Sequence, residues 1–343
     1  MTATSTPFRE QPELSPPGSG PSDRAEPPPA IDRSALRRRL VTLGLLVLCV
    51  VGALLAVPDL RPVARAIDAM SPVLVSVAIA LELASCVSFV VIFRLFFRSL
   101  PTVEAHELGW AQQGAGALLP GGGIGSLAVG GWLLHLGGMP TRRIVQRSSG
   151  LFFLTSAVNV LTLAAAGLVL LLGLADGPHD VLLDGLPIIA AAGATAVVLV
   201  LPRLRRRGSG ERPGAGWIDD ITVGIPAARH ALARPSWRLL GALGYLLFDI
   251  AVLWTTFAAV GPLPPLAPLV IAYLVGYLAN AIPIPGGIGV LDGGLVGALA
   301  LYGLPVTHAA AAVLVYHAIA FWTPTLGGSL AYVRLRRRLD HRG

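Results

Sequence analysis

Three acidic residues lie inside long apolar stretches of this chain, namely Glu82, Asp249 and Asp292. A charged side chain at the centre of a bilayer costs about 2.5–3.5 kcal/mol on insertion scales. We therefore expect these acids to carry protons, attract a cationic group or accept hydrogen bonds between helices. We predict intramembrane charge or proton coupling for Glu82 and Asp249, and substrate binding for Asp292. An ion pair with Arg94 is the alternative for Glu82.

Two glycine-rich segments interrupt apolar stretches and could bind an anion through their backbone. They are Pro120-Gly121-Gly122-Gly123-Ile124-Gly125 and Pro283-Ile284-Pro285-Gly286-Gly287-Ile288-Gly289. Without side chains, the N–H groups here and at the following helix N-termini could reach a lipid phosphate. The alternative is that glycine only permits a tight reversal and close packing of helices.

The last apolar stretch carries Tyr316 and His317 near its middle. His317 could relay protons or donate a hydrogen bond to a phosphate; a purely structural histidine is the alternative. The predicted substrate-binding set is Pro120, Gly121, Gly122, Gly123, Gly125, Pro283, Pro285, Gly286, Gly287, Gly289, Asp292, Tyr316 and His317. We predict no catalytic residue, metal site or cofactor, because the sequence contains no Walker A, HExxH or CxxC pattern.

The composition identifies an integral membrane protein. Hydrophobic residues make up 54% of the 343 residues, charged residues only 13%, and the mean hydropathy is +0.70. Soluble domains carry roughly 25% charged residues, so this chain has too little charge for a water-facing surface. The net charge of +7 comes from arginines beside apolar runs, which indicates membrane topology and not nucleic-acid binding.

Run length predicts about six full spans, because a crossing needs about 20 apolar residues. The spans are Leu40–Val57, Ser71–Phe93, Ser148–Ala175, Leu182–Leu201, Ser236–Val260 and Thr307–Val333. The two interrupted stretches are predicted to be broken re-entrant helical hairpins, and Trp217–Ala233 an amphipathic surface helix. With this arrangement most arginines lie on one side of the membrane. Because positive charge marks the cytoplasmic side, we predict that both termini are cytoplasmic. Two single crossings are the alternative, and they would move Arg142, Arg143 and Arg147 outside.

The fold class is therefore an all-α polytopic membrane protein with an inverted internal repeat. The two breaks resemble each other, Gly138-Met-Pro140 matches Gly303-Leu-Pro305, and a mid-span acid precedes each break. Inverted repeats with broken helices are typical of transporters. The predicted organisation is a disordered Pro-rich cytoplasmic tail at 1–32, a transmembrane domain at 33–338, repeats at about 71–175 and 236–333, a basic cytoplasmic loop at 202–235, and a cytoplasmic tail at 339–343.

Residues 281–328 and the first break resemble the two signatures of the lysylphosphatidylglycerol synthase transmembrane family. The resemblance implies a flippase-like domain in the bacterial inner membrane, here without an aminoacyl-transferase domain. Where that family usually has Glu after the second break, this chain has Asp292. Where it often has Arg in the next helix, this chain has His317.

The predicted function is the flipping of a phospholipid, aminoacylated lipid or polyprenyl-linked glycolipid through a polar cavity between the two hairpins. Its expected partners are an anionic or polyprenyl-linked membrane lipid and a separately encoded soluble transferase, with no nucleic acid. One alternative is a membrane-embedded lipid-headgroup transferase. Another is a non-catalytic membrane partner of an envelope-synthesis enzyme.

Overall fold

The computed structural model describes most of the chain outside the N-terminal region. The described residues are 57–119, 123–177, 180–207, 216–234, 236–261, 263–279 and 290–340, with positions 41, 44, 45, 48, 49 and 52. Within them the regular structure is helical and contains no strand. The 1–32 tail, nearly all of the predicted first span and most residues of both glycine-rich breaks lie outside this part.

The described residues form eleven α-helices in sequence order. They are α1 (Arg61–Asp68), α2 (Pro72–Phe96), α3 (Thr102–Leu118), α4 (Gly123–Leu136), α5 (Thr141–Leu171), α6 (Val181–Arg207), α7 (Gly216–Ala233), α8 (Leu240–Val260), α9 (Leu266–Ala279), α10 (Val290–Leu301) and α11 (Val306–Asp340). Single 3-10 turns at Pro58–Leu60 and Trp237–Leu239 precede α1 and α8.

Four described helical segments are long and apolar enough to cross a membrane. They are Pro72–Phe96, Thr141–Leu171, Trp237–Val260 and Val306–Arg338, and they correspond to four of the six predicted spans. The predicted span Leu182–Leu201 lies within α6, whose apolar part, Asp184–Val197, is shorter. An all-helical chain with several apolar helices is thus confirmed, and the count of six spans stays a prediction.

Two groups of four helices have long and short helices in the same order. The groups α2–α5 and α8–α11 each contain a long helix, two short helices and a long helix. In both groups the two short helices pack against each other, and α2 packs along α8.

The matched Gly-x-Pro motifs also end their helices in the same way. Gly138 has φ 81° and Gly303 has φ 83°, a conformation that glycine adopts without steric cost. The next residue then bonds back into the helix: Met139 N–H donates to the Leu134 carbonyl, and Leu304 N–H to the Leu299 carbonyl. Both short helices therefore close with the same glycine C-cap.

Glycines bring two helix pairs into close backbone contact. A Cβ on Gly241 of α8 would lie 2.6 Å from the Ser88 carbonyl oxygen of α2. A Cβ on Gly114 of α3 would lie 2.9 Å from Gly328 Cα of α11. Helices in membranes associate through such small residues because van der Waals contact replaces the hydrophobic effect as the attractive force.

Polar contacts gather where α2 ends, α3 and α5 begin and α11 ends. Arg94 contacts His106 and donates to the Thr102 hydroxyl, each at 3.2 Å. Arg147 donates to the Ser99 hydroxyl at 2.8 Å. Arg338 of α11 pairs with Glu107 of α3 at 3.3 Å. These helix ends therefore form one basic end of the bundle.

The suggested ion pair between Glu82 and Arg94 is wrong. The two residues are twelve positions apart on one helix, or about 18 Å at about 1.5 Å per residue. Glu82 is buried at 5% exposure, whereas Arg94 bonds to the start of α3.

The predicted amphipathic segment Trp217–Ala233 does form a helix, α7, but its second half is packed against α5. A Cβ on Gly224 would lie 2.6 Å from the Ser149 carbonyl carbon, and Ala228 is only 4% exposed. This half of α7 therefore belongs to the helical bundle and is not a free surface element.

Candidate functional site

A polar cavity of about 250 Å³ lies between the two groups of helices. Its volume is slightly below the roughly 300–1,000 Å³ that is typical of small-molecule sites. Residues next to both breaks line it, including Leu119 and Ser126 at the first and Tyr277 and Leu291 at the second. Other polar lining residues are Glu82, Gln112, Gln113, Ser148, Thr155, Ser156, Asn159, Tyr245, Asp249, Tyr273, Tyr316 and His317.

Asp249 of α8 is the centre of a hydrogen-bonded cluster in this cavity. The Tyr273 hydroxyl of α9 donates to Asp249 Oδ2 at 2.5 Å, and the Tyr316 hydroxyl of α11 donates to Oδ1 at 3.2 Å. Both tyrosines are 4% exposed. These two bonds join α8 to α9 and α11. Glu82 of α2 lines the same cavity. One turn from Glu82 and Asp249, the Ser85 hydroxyl donates to the Tyr245 carbonyl at 2.9 Å and joins α2 to α8.

Asp292 and His317 form a second polar contact beside the cavity. His317 Nδ1 lies 2.5 Å from Asp292 Oδ1, which joins α10 to α11. His317 also lines the cavity. Imidazole next to a carboxylate can bind a proton or donate a hydrogen bond to a ligand, so the pair offers both functions at the cavity wall.

The structure brings most of the predicted polar residues together. Glu82, Asp249 and Tyr316 form one cluster, and Asp292 and His317 form the neighbouring pair. Gly123 and Gly125 lie in the first turn of α4. The remaining predicted residues, Pro120, Gly121, Gly122, Pro283, Pro285, Gly286, Gly287 and Gly289, lie outside the described residues. Phosphate binding by the glycine-rich backbone therefore stays a prediction.

Residues 41–328 match the sequence model of the family described as Lysylphosphatidylglycerol synthase TM region. This chain belongs to that family. A curated relative, the UPF0104 membrane protein of Methanothermobacter thermautotrophicus, is 39% identical over 93 residues. That match covers 27% of this chain and 26% of the relative, so it spans about a quarter of the relative's length. The family match and the apolar helices together identify a multi-pass membrane protein.

The two departures from the family pattern noted in the sequence face each other. The resemblance implied Glu at position 292 and Arg at position 317. Asp292 and His317 stand there instead, and their side chains are in direct contact. In this member of the lysylphosphatidylglycerol synthase TM family, one position therefore still holds an acid and the other a base. Both side chains are shorter than the Glu and Arg that the resemblance implied.

In the described part of the chain, acidic side chains outnumber basic ones in the cavity wall. Its carboxyl and imidazole side chains are those of Glu82, Asp249 and His317, and no arginine is among the described lining residues. The rest of the wall combines hydroxyl and amide groups with apolar side chains such as Phe89, Phe152 and Phe321. It is therefore suited to a polar or cationic group at this point, and an anion would need donors from elsewhere.

Sequence reasoning identified Tyr316 but missed the other tyrosines and the glutamines of this site, namely Tyr245, Tyr273, Tyr277, Gln112 and Gln113. Tyr273 and Tyr277 are four residues apart, and residues at this spacing lie on the same face of a helix. The spacing could therefore have predicted that this helix presents a tyrosine face. Gln112 and Gln113 are adjacent polar residues in an apolar segment. Gln113 Nε2 donates to the Cys86 carbonyl at 3.0 Å, so it joins α3 to α2 at the cavity.

A double-mutant cycle should detect the contact between Asp292 and His317. We expect Asp292→Asn and His317→Gln to be coupled by about 1 kcal/mol in unfolding free energy, because interhelical hydrogen bonds in membranes average about 0.6 and reach about 1.7 kcal/mol. Unfolding in detergent micelles measures it. The control His135→Gln changes an exposed histidine and should show no coupling with Asp292→Asn. Equal values in both cycles would contradict the pair.

Proposed function

We propose that this protein moves a membrane lipid between leaflets. The observation that carries this proposal is the polar cavity inside an apolar helical bundle, lined by residues next to both glycine-rich breaks. A headgroup can desolvate into such a cavity while its tails stay in lipid. Polar groups inside a membrane protein usually mark such a pathway. Candidate substrates are a phospholipid, an aminoacylated lipid or a polyprenyl-linked glycolipid.

The proposal includes two re-entrant hairpins that enter from opposite sides. Helices α3 and α5 both begin at the basic end of the bundle, where Arg147 contacts Ser99. The pair α3 and α4 would therefore leave and return to that end. Helix α11 finishes at the basic end, where Arg338 contacts Glu107, so it begins at the other end. The pair α9 and α10, which joins the far ends of α8 and α11, would enter from there.

This arrangement supports an inverted repeat of α2–α5 and α8–α11. Its supporting observations are the shared order of helix lengths and the shared C-caps at Gly138 and Gly303. With the arginines on the cytoplasmic side, the protein would lie in the cytoplasmic membrane with both termini in the cytoplasm. The cavity would then be reachable from either leaflet by movement of one unit against the other.

Lipid exchange in proteoliposomes tests the proposal. The probes are three tail-labelled lipids: an anionic phospholipid, an aminoacylated phospholipid and a polyprenyl phosphate. We expect at least one to exchange between leaflets about tenfold faster than in protein-free vesicles. Exchange of all three at the protein-free rate would contradict lipid translocation.

A bulky side chain in the cavity should block this exchange. Ser156 of α5 lines the cavity, and we expect Ser156→Trp to lower the exchange rate by about tenfold because the indole fills the headgroup path. The matched control is Leu161→Trp on the same helix, where the leucine is 69% exposed on the outer surface. Equal rates for the two variants would mean that lipid does not pass through this cavity.

A second candidate function is a lipid-headgroup transferase. The contact between His317 and Asp292 favours it, because an imidazole oriented by a carboxylate can act as a general base. Incubation with the same lipids followed by mass spectrometry distinguishes the two functions. A new lipid species that His317→Gln abolishes, with exchange unchanged, would favour the transferase.

A further inference from the structure

Glu82 and Asp249 form a pair of buried carboxyl groups where α2 and α8 pack together. Glu82 is 5% exposed, and it lines the same cavity as Asp249. One turn away, the Ser85 hydroxyl of α2 donates to the Tyr245 carbonyl of α8 at 2.9 Å, so both acids lie beside the contact between these helices. Glu82 Oε2 is buried and receives no hydrogen bond from any hydroxyl, thiol or amide of the described residues. A carboxylate can only accept hydrogen bonds. A hydrogen bond between two carboxyl groups therefore requires a proton on one of them.

The neighbouring tyrosines indicate which acid is charged. Two hydroxyl groups, those of Tyr273 and Tyr316, donate to Asp249. Donors directed at a carboxylate stabilise its ionised form. Glu82 receives only a weak donor at this point, the Cys86 thiol, at 3.7 Å from Oε1. The proton is therefore expected on Glu82 and the negative charge on Asp249.

No cationic side chain of the described residues takes the place of this proton. The titratable groups around the pair are Cys86 on α2, Tyr245 on α8, Tyr273 and Tyr277 on α9, and Tyr316 and His317 on α11. The described lining residues of α3, α4 and α5 are uncharged. His317, the basic member of this set, is paired with Asp292 of α10.

We propose that Glu82 and Asp249 share one exchangeable proton, and that its binding and release couple lipid movement to a proton gradient. This inference rests on the proposed translocation and names its energy source. With the proton bound, the two carboxyl groups attract each other and hold α2 against α8. After its release, two carboxylates face each other in a buried site, and their repulsion favours separation of the helices or entry of a cationic headgroup.

The location of the pair suits this function. Glu82 and Asp249 precede the two breaks at corresponding positions, and α2 and α8 are the corresponding first helices of the two units. Corresponding residues of two units can meet only near the axis that relates them. A proton site near this axis lies at the same distance from both units. Alternating access from the two sides of the membrane requires a site in such a position.

Infrared difference spectroscopy tests the shared proton without any transport measurement. The full chain in lipid nanodiscs should show the C=O stretch of a protonated carboxyl, and this band should disappear as pH is raised. We expect Glu82→Gln to remove the band and Asp249→Asn to shift it. The control Asp176→Asn, at an exposed position, should leave it unchanged. A spectrum in which neither cavity variant alters the band would overturn the shared proton.

Proteoliposomes with an imposed pH gradient test the coupling. We expect the gradient to change the wild-type lipid exchange rate at least about threefold, and Glu82→Gln to abolish that response because an amide cannot release the proton. If the wild-type exchange rate is the same with and without the gradient, the coupling is overturned. If no lipid exchanges at all, the translocation proposal fails and the coupling with it, while the infrared result still decides whether the proton is shared.

Discussion

Replacing Asp249 with alanine is expected to slow lipid exchange by about 10- to 100-fold and to lower the unfolding free energy by about 1–3 kcal/mol. The change removes the acceptor of two tyrosine hydroxyls and the second carboxyl group of the cavity that Glu82 also lines. Each interhelical hydrogen bond contributes about 0.6–1.7 kcal/mol, and each 1.36 kcal/mol corresponds to a factor of ten in rate. Exchange in proteoliposomes and unfolding in detergent micelles measure the two effects.

Two further variants make this prediction specific. Asp249→Asn keeps one oxygen that can accept a hydrogen bond, so we expect a smaller loss of stability than with alanine. Asp176→Ala removes an exposed acid and should change neither quantity. If Asp249→Ala behaves like Asp176→Ala, the cluster around Asp249 supports neither the bundle nor transport.

Replacing Gly241 with alanine is expected to lower the unfolding free energy by about 1–3 kcal/mol, as overpacking does in well-packed interiors. Its new Cβ would lie 2.6 Å from the Ser88 carbonyl oxygen and 2.8 Å from the Ile92 nitrogen. Both are backbone atoms of a helix, so α2 and α8 must separate. Because these helices carry Glu82 and Asp249, we also expect slower lipid exchange.

Gly244 offers a matched control one turn along the same helix. A Cβ there would meet the Ser88 hydroxyl at 2.8 Å, and a hydroxyl can rotate away where a backbone carbonyl cannot. We therefore expect Gly244→Ala to cost less than Gly241→Ala. Gly193→Ala on α6, where nothing lies within 4 Å, should be nearly neutral. Equal stability of all three variants would contradict the close contact between α2 and α8.

The acidic side chains in the cavity wall bear on the predicted phosphate binding by the glycine-rich breaks. The sequence suggested that their backbone N–H groups bind a phosphate. The described cavity wall instead carries two carboxyl groups and one paired histidine. If a lipid headgroup enters this cavity, as proposed above, its cationic part is expected near Asp249.

Composition and run length alone determined that this is a helical membrane protein, because apolar stretches of about 20 residues have few other stable environments. They also located helices α2, α5, α8 and α11 to within a few residues at most ends, and the largest differences came where polar turns extend a helix beyond its apolar part. The Gly-x-Pro motifs were matched in the sequence only as part of the repeat. The structure shows that they end their helices alike, since only glycine readily adopts the positive φ found at Gly138 and Gly303.

The partners of the polar residues were decided by the tertiary structure. Glu82 and Asp249 are 167 positions apart in the chain, and Asp249 takes its hydroxyl donors from two other helices. Such contacts depend on how each helix is rotated and how closely it approaches its neighbours. These properties follow from packing at sites such as Gly241 and Ser88, and a nearly uniform apolar sequence carries little periodic signal from which to read them.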